Sequence, residues 1–117
     1  IGRDMRTHSP AMFEAVAKGV RMQGADVIDV GLCSTPMCYF ANGRLGADGS
    51  IMITASHNPA GYNGLKLCQS GARPIGRDTG LAEIQATIST IKASRTRLNP
   101  PGKAKLSLKD LIAEGRR

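Results

Sequence analysis

Between Thr54 and Lys66 the sequence reads TASHNPAGYNGLK. It sets a hydroxyl (Ser56), an imidazole (His57) and a carboxamide (Asn58) side by side, and an amine (Lys66) ten residues past the serine. The chemistry such a set can do is group transfer through the serine oxygen. A lone serine after a strand is more often a turn or helix cap, and two familiar patterns are missing. A hydrolase elbow needs G-x-S-x-G, whereas Ser56 lies in A-S-H. A nucleotide P-loop needs G-x-x-x-x-G-K-[ST], which the chain lacks. His57 is either a satisfied structural histidine or a group that donates to phosphate and carries protons near neutrality. Asn58 can hold a turn through its amide, and Pro59 stiffens the loop exit by fixing φ. Lys66 is a surface lysine unless its ammonium faces the Ser56 oxygen, where it could steady a transferring phosphoryl group or act as general acid/base.

A second charged cluster opens the chain, in GRDMR: Arg3, Asp4 and Arg6. Its simplest reading is a surface ion pair between Arg3 and Asp4. A sharper one is an arginine facing phosphate and oriented by a carboxylate.

These residues need elements to hold them. Ile1 reads as mid-strand, and Ser9-Pro10 as an N-cap and first helical position. Phe13, Val16, Ala17 and Val20 follow at helical spacing, and Gly24 can end that helix. DVIDVG (26–31) has strand composition. Thr35-Pro36 repeats the helix-start signal, GSIMITAS is a buried strand by its apolar run, and LKLCQ is another strand after the Asn63-Gly64 turn. Leu81, Ile84, Ile88 and Ile91 mark a further amphipathic helix after Asp78 and Thr79. The order β-α-β-α-β-β-α predicts a layered α/β/α domain with a mixed, mostly parallel sheet of about four strands. Ligands of such sheets bind at the carboxyl ends of strands, which puts GRDMR and TASHNP on one edge.

Composition narrows the class. The chain has 117 residues, 41% of them hydrophobic, and no apolar run approaches the span of a membrane helix. Nothing in it reads as a secretory or transit signal. The net charge of +7 invites a nucleic-acid reading until it is located. Residues 1–91 carry eight basic and seven acidic side chains, a net of +1, while residues 92–117 carry eight and two, a net of +6. The excess belongs to a Pro-, Ser- and Lys-rich tail without aromatics to stack on bases, so a solvated linker is expected there, with a short helical stretch over 108–114. Three cysteines, Cys33, Cys38 and Cys68, form no CxxC pair and fit reduced, buried thiols of a cytoplasmic protein.

Taken together, the SHNP segment, its downstream NG-x-K, the GRDMR stretch and the pattern helix–DVIDVG–STP resemble the first domain of the α-D-phosphohexomutases, the family of phosphoglucomutase and phosphomannomutase. The resemblance spans nearly all of residues 1–91, the expected domain, with 92–117 leading toward a second one. It implies that Ser56 is a phosphoserine that passes its phosphoryl group to a hexose phosphate. A bound hexose 1,6-bisphosphate forms, and the sugar's other phosphate returns to Ser56, with the bisphosphate as activator. It implies Mg²⁺ on the serine phosphate, His57 and Asn58 beside the phosphoserine, Lys66 as general acid/base and Arg3 in support of the site. The same resemblance implies four domains, so that the second domain's metal loop and the later sugar and phosphate loops lie outside this sequence. The domain by itself is then expected to be inactive as a mutase. A different class is a non-catalytic module that self-associates through exposed apolar surface. A third is a nucleic-acid binder acting through the basic tail.

Overall fold

The structure is a computed structural model that describes residues 1–98, with side chains through 94. The chain divides into two units, one of Ile1–Gly76 and a second from Arg77 onward. In the first unit, β1 (Gly2–Arg3), β2 (Gly31–Leu32), β3 (Gly49–Ile53), β4 (Leu65–Gln69) and β5 (Arg73–Pro74) form one sheet in the order β2-β1-β3-β4-β5. β1 pairs in parallel with β2 and β3, while β3–β4 and β4–β5 are antiparallel. The α/β class is as expected, with one strand more and an even division between parallel and antiparallel pairing. The additional strand is a two-residue edge piece. Its Pro74 has no N–H to donate, which an edge tolerates.

Helix α1 (Ser9–Met22) packs on β1 and β3, and α2 (Thr35–Leu45) packs on β3 and the 3₁₀ turn Ser70–Ala72. They lie on opposite faces. The Arg3 guanidinium sits over the Phe13 ring of α1, while a Cβ on Gly2 would meet Cys38 Sγ of α2 at 3.2 Å and Cys33 Sγ at only 2.5 Å. Gly2 is therefore required where α2 and the β2 exit close on the sheet. Ala17, Cys38, Met52, Ile53, Ala55 and Cys68 fill the core. Full burial of Met52 or Ile53 contributes about 1.5–3 kcal/mol each. All three cysteines are free thiols, and burial pushes the Cys38 thiol up.

Local signals mostly delimit the elements, with informative shifts. α1 has His8 at its N-cap, whose side chain does not cap the helix, and Ser9 lies inside the first turn, fully buried. The expected Ser9 cap is replaced by tertiary bonds described below. α2 is capped by Ser34, one residue before the expected Thr35, and its hydroxyl accepts from the Met37 amide. Gly46 ends α2 in the left-handed region at φ 62°. DVIDVG becomes a strand only at Gly31–Leu32. Just before it, the Ile1 amine donates to Ile28 O at 2.7 Å and Ile1 O accepts from the Val30 amide. In the second unit α3 (Leu81–Leu98) begins where Gly80 O accepts from the Ile84 amide. It runs through Ile91 and Lys92 without a break to Leu98, so the stretch expected to open a linker continues as helix. The helical stretch expected over 108–114 lies outside the described residues.

Candidate active site

Two connections give the site its place. From β1 through α1 the chain steps outward to β2, then returns through α2 to β3 on the other side of β1. The reversal makes a topological switch point between the carboxyl ends of β1 and β3, the usual ligand position in such sheets. The residues after β1 and after β3 meet there, as the Asp4 amide donates to Ile53 O at 3.0 Å. GRDMR and TASHNP share an edge, as expected.

The loop leaving β3 is built from short turns. Thr54 extends the ladder by donating to Gly64 O, the Asn58 amide donates to Ala55 O, and the Tyr62 amide donates to Pro59 O, each at 3.0 Å. The Ser56 amide donates to Thr54 Oγ1 at 3.1 Å. Ser56 itself lies at φ 52°, in the left-handed region that a non-glycine residue seldom adopts. Such a conformation costs about 1–3 kcal/mol and persists only where neighbours enforce it. Ser56, His57 and Asn58 are exposed.

The enforcing neighbour is Arg6. Its Nη2 donates to Ser56 O (3.2 Å) and Asn58 O (2.8 Å), and its Nη1 to Pro59 O (2.8 Å) and Tyr62 O (3.2 Å). Its Nε faces Asp4 Oδ2 at 3.4 Å. Asp4 in turn accepts on Oδ1 from the Arg6 amide at 3.1 Å and from the Ser9 hydroxyl at 2.6 Å. Burial pushes the Asp4 carboxyl up, but bonds from Ser9, the Arg6 amide and Thr54, with the Arg6 charge, outweigh it and hold the group below its ordinary value. Ser9 Oγ also accepts from Asn63 Nδ2 at 2.9 Å, and Asn63 Oδ1 accepts from the Gly64 amide at 2.9 Å. His8 Nε2 lies 3.1 Å from Tyr62 O. The start of α1 and both ends of the loop thus share one polar network.

The expected site residues separate into three placements. Ser56, His57 and Asn58 lie together on the loop. Lys66 is on β4, opposite Met52 and exposed, and no hydrogen bond joins it to Ser56. Arg3 is elsewhere: its Nη1 bonds Asp29 Oδ1 at 2.8 Å, and its guanidinium lies 4.7 Å from the Phe13 ring centre. The loop support expected from Arg3 comes from Arg6. The physical reason is strand alternation, which sends Arg3 and Asp4 to opposite faces of the sheet. The available signal was the closeness of Asp4 and Arg6 in the chain, an opposite-charge pair just past the end of β1. Ser9 and Asn63 carried no local sign of their pairing. Near Arg3 an open depression of about 230 Å³ is lined by Arg3, Pro10, Phe13, Glu14 and Asp29 among others, and no residue of the Ser56 loop borders it.

Residues 1–95 match the family described as phosphoglucomutase/phosphomannomutase, alpha/beta/alpha domain I. Among relatives, "Phosphohexose mutases" of Xanthomonas campestris pv. campestris (strain B100) is 49% identical over 94 residues, which cover 80% of this chain and 21% of that protein. A "Phosphomannomutase" of Salmonella typhimurium is 52% identical over 85 residues, 73% of this chain and 19% of the relative. A "Phosphomannomutase" of Klebsiella pneumoniae is 49% identical over 85 residues, 73% of this chain and 54% of the relative. The matched part thus spans about a fifth of the first two relatives and about half of the third. The chain belongs to the alpha/beta/alpha domain I family of the phosphoglucomutases and phosphomannomutases.

Proposed function

We propose that this domain presents Ser56 as the phosphoryl carrier of a mutase that interconverts hexose 1-phosphate and hexose 6-phosphate. The observation that carries the reading is Ser56 itself: an exposed hydroxyl held at φ 52° on a braced loop, at the switch point between β1 and β3. In the transfer, the Ser56 Oγ–P bond forms as a P–O bond of a hexose 1,6-bisphosphate breaks, and the serine proton passes to a base or to the departing sugar oxygen. Lys66 and His57 are the side chains we assign to proton handling. Asn58 shapes the loop beside them.

Mg²⁺ belongs to this proposal only as a ligand of the serine phosphate. No group of three His, Cys, Asp or Glu side chains gathers among the described residues, and Ser56 offers one oxygen. That donor set does not make an octahedral magnesium site, so the remaining ligands must come from outside the described residues. We infer for the same reason that the chain alone has negligible mutase turnover. A coupled glucose 1-phosphate to glucose 6-phosphate assay with turnover typical of a complete mutase would refute that inference. No helix among the described residues is long and apolar enough to cross a membrane. We place the protein in the cytoplasm, where three free thiols stay reduced.

The test of the carrier role is intact mass before and after incubation of the chain with glucose 1,6-bisphosphate and Mg²⁺, with peptide mapping across 54–66. One phosphoryl group gained on Ser56, and none in Ser56→Ala, is the expected result. No gain by a folded chain overturns the proposal that these residues suffice to accept phosphate.

A second reading, self-association, is favoured by one observation. Met37 and Phe40, one turn apart on α2, are 58% and 72% exposed. Sedimentation across a concentration range, with Phe40→Ser as control, tests it. A monomer at every concentration excludes it.

A further inference from the structure

Arg6 uses its whole guanidinium on the protein. The group has five N–H donors in a rigid plane. Four reach the carbonyls of Ser56, Asn58, Pro59 and Tyr62, and the Nε donor faces Asp4. None is left for a substrate. Although this arginine stands beside a serine read as a phosphate carrier, its donors are consumed by backbone.

We propose that Arg6 is a positioning residue of the Ser56 loop, which acts on phosphoryl transfer only by fixing the loop's backbone and not by touching phosphate. The transfer part of this inference rests on the carrier reading of Ser56. Three observations support it. First, the four acceptors lie 50–56 residues along the chain from Arg6, so one side chain ties both turns of the loop to the β1 exit. Second, peptide units are planar and no cis bond occurs among the described residues, so a Ser56 carbonyl drawn toward Arg6 turns the His57 N–H away from it. That N–H has no hydrogen-bond partner among the described residues. The outward His57 amide is thus a consequence of that bond, at a residue whose predecessor already lies at φ 52°. Third, Arg6 is itself anchored: Asp4 holds it, Ser9 holds Asp4, and Asn63 at the far end of the loop holds Ser9. The guanidinium is pre-set, and its side chain is only 18% exposed. A lysine, with three donors on one tetrahedral nitrogen, keeps the charge beside Asp4 but cannot span four carbonyls.

The experiment uses the whole chain as wild type, Arg6→Ala and Arg6→Lys, with two readouts. One is amide hydrogen exchange at Asn58 and Tyr62, which donate to Ala55 O and Pro59 O, with Cys38 and Ile75 as reporters of global folding. The other is the rate of Ser56 phosphoryl uptake from glucose 1,6-bisphosphate with Mg²⁺. The expected result in both variants is exchange at Asn58 and Tyr62 faster by about tenfold or more, the scale of one lost charge-assisted bond, with Cys38 and Ile75 unchanged. Uptake slows in step. Millimolar guanidinium, but not sodium, restores both in Arg6→Ala. If Cys38 and Ile75 lose protection in Arg6→Ala, that variant has unfolded and Arg6→Lys decides. Loop protection equal to wild type overturns the proposal. So does lost uptake with an intact loop, which would make Arg6 a phosphate ligand, and so does a loosened loop with wild-type uptake. Absence of uptake in the wild type overturns only the sufficiency of these residues to accept phosphate, because the exchange readout still decides whether Arg6 holds the loop.

Discussion

Arg3 and Arg6 are the same residue type on one short segment, and they end in different surroundings. Arg3 points to α1, stacks on Phe13 and bonds one oxygen of the half-exposed Asp29. Arg6 lies at the switch point between β1 and β3, faces Asp4 and engages four carbonyls of the Ser56 loop. The difference teaches that side-chain direction, set by position along a strand, decides whether a charge becomes an edge contact or the frame of a site. The two guanidinium side chains are similarly covered, and it is the partner that differs: the Asp29 side chain is 47% exposed and the Asp4 side chain 19%, so water weakens the Arg3 pair more.

Mutations at the two ends sharpen the contrast. The largest effect belongs to the residue that Arg6 frames: Ser56→Ala abolishes phosphoryl uptake while urea unfolding shows a folded chain. Next is Arg6→Ala, expected to lower unfolding stability by about 2–4 kcal/mol, since Asp4 and several loop carbonyls lose a charged partner. Ser9→Ala follows at about 1–3 kcal/mol, because it removes one of the two donors to Asp4 Oδ1 and the hydroxyl that Asn63 Nδ2 bonds, at a fully buried position. Arg3→Ala is the smallest, at about 1 kcal/mol or less by the same urea titration, for an exposed ion pair and one ring contact. A cost for Arg3→Ala equal to that of Arg6→Ala would break the comparison.

Acid gives an independent check on the Arg6 side. The folded Asp4 carboxyl lies below its ordinary value of 3.8, so its contribution is complete above that pH and is lost as pH falls through the folded value. Urea midpoints of the wild type should therefore run parallel to those of Asp4→Asn from neutral pH down to about 4 and fall more steeply below 3.8. Curves that stay parallel below 3.8 as well would mean that Asp4 contributes nothing through its charge.

Much of the scaffold was legible in residue order. β4 coincides with LKLCQ, and the core of α1 follows the Phe13–Val20 spacing. The meeting of GRDMR with TASHNP followed from sheet topology alone. The departures share one cause, partners distant in the chain. Ser9 has the chemistry of an N-cap, but Asp4 and Asn63 bind its hydroxyl. DVIDVG has the composition of a strand, but ladder pairing with β1 covers only Gly31 and Leu32. Arg6 was visible as a charge near Asp4, yet the carbonyls that define its role belong to residues 56–62 and have no side-chain signature. A backbone acceptor looks the same in every sequence.

That anonymity has a consequence for how such a loop can vary. Because Arg6 grips main-chain oxygens, the shape around Ser56 is specified by a side chain outside the loop. His57, Ala60, Gly61 and Tyr62 are then released from holding that shape. Substitutions there can alter the side chains that the loop presents without altering where the serine stands. Geometry and surface chemistry are inherited separately.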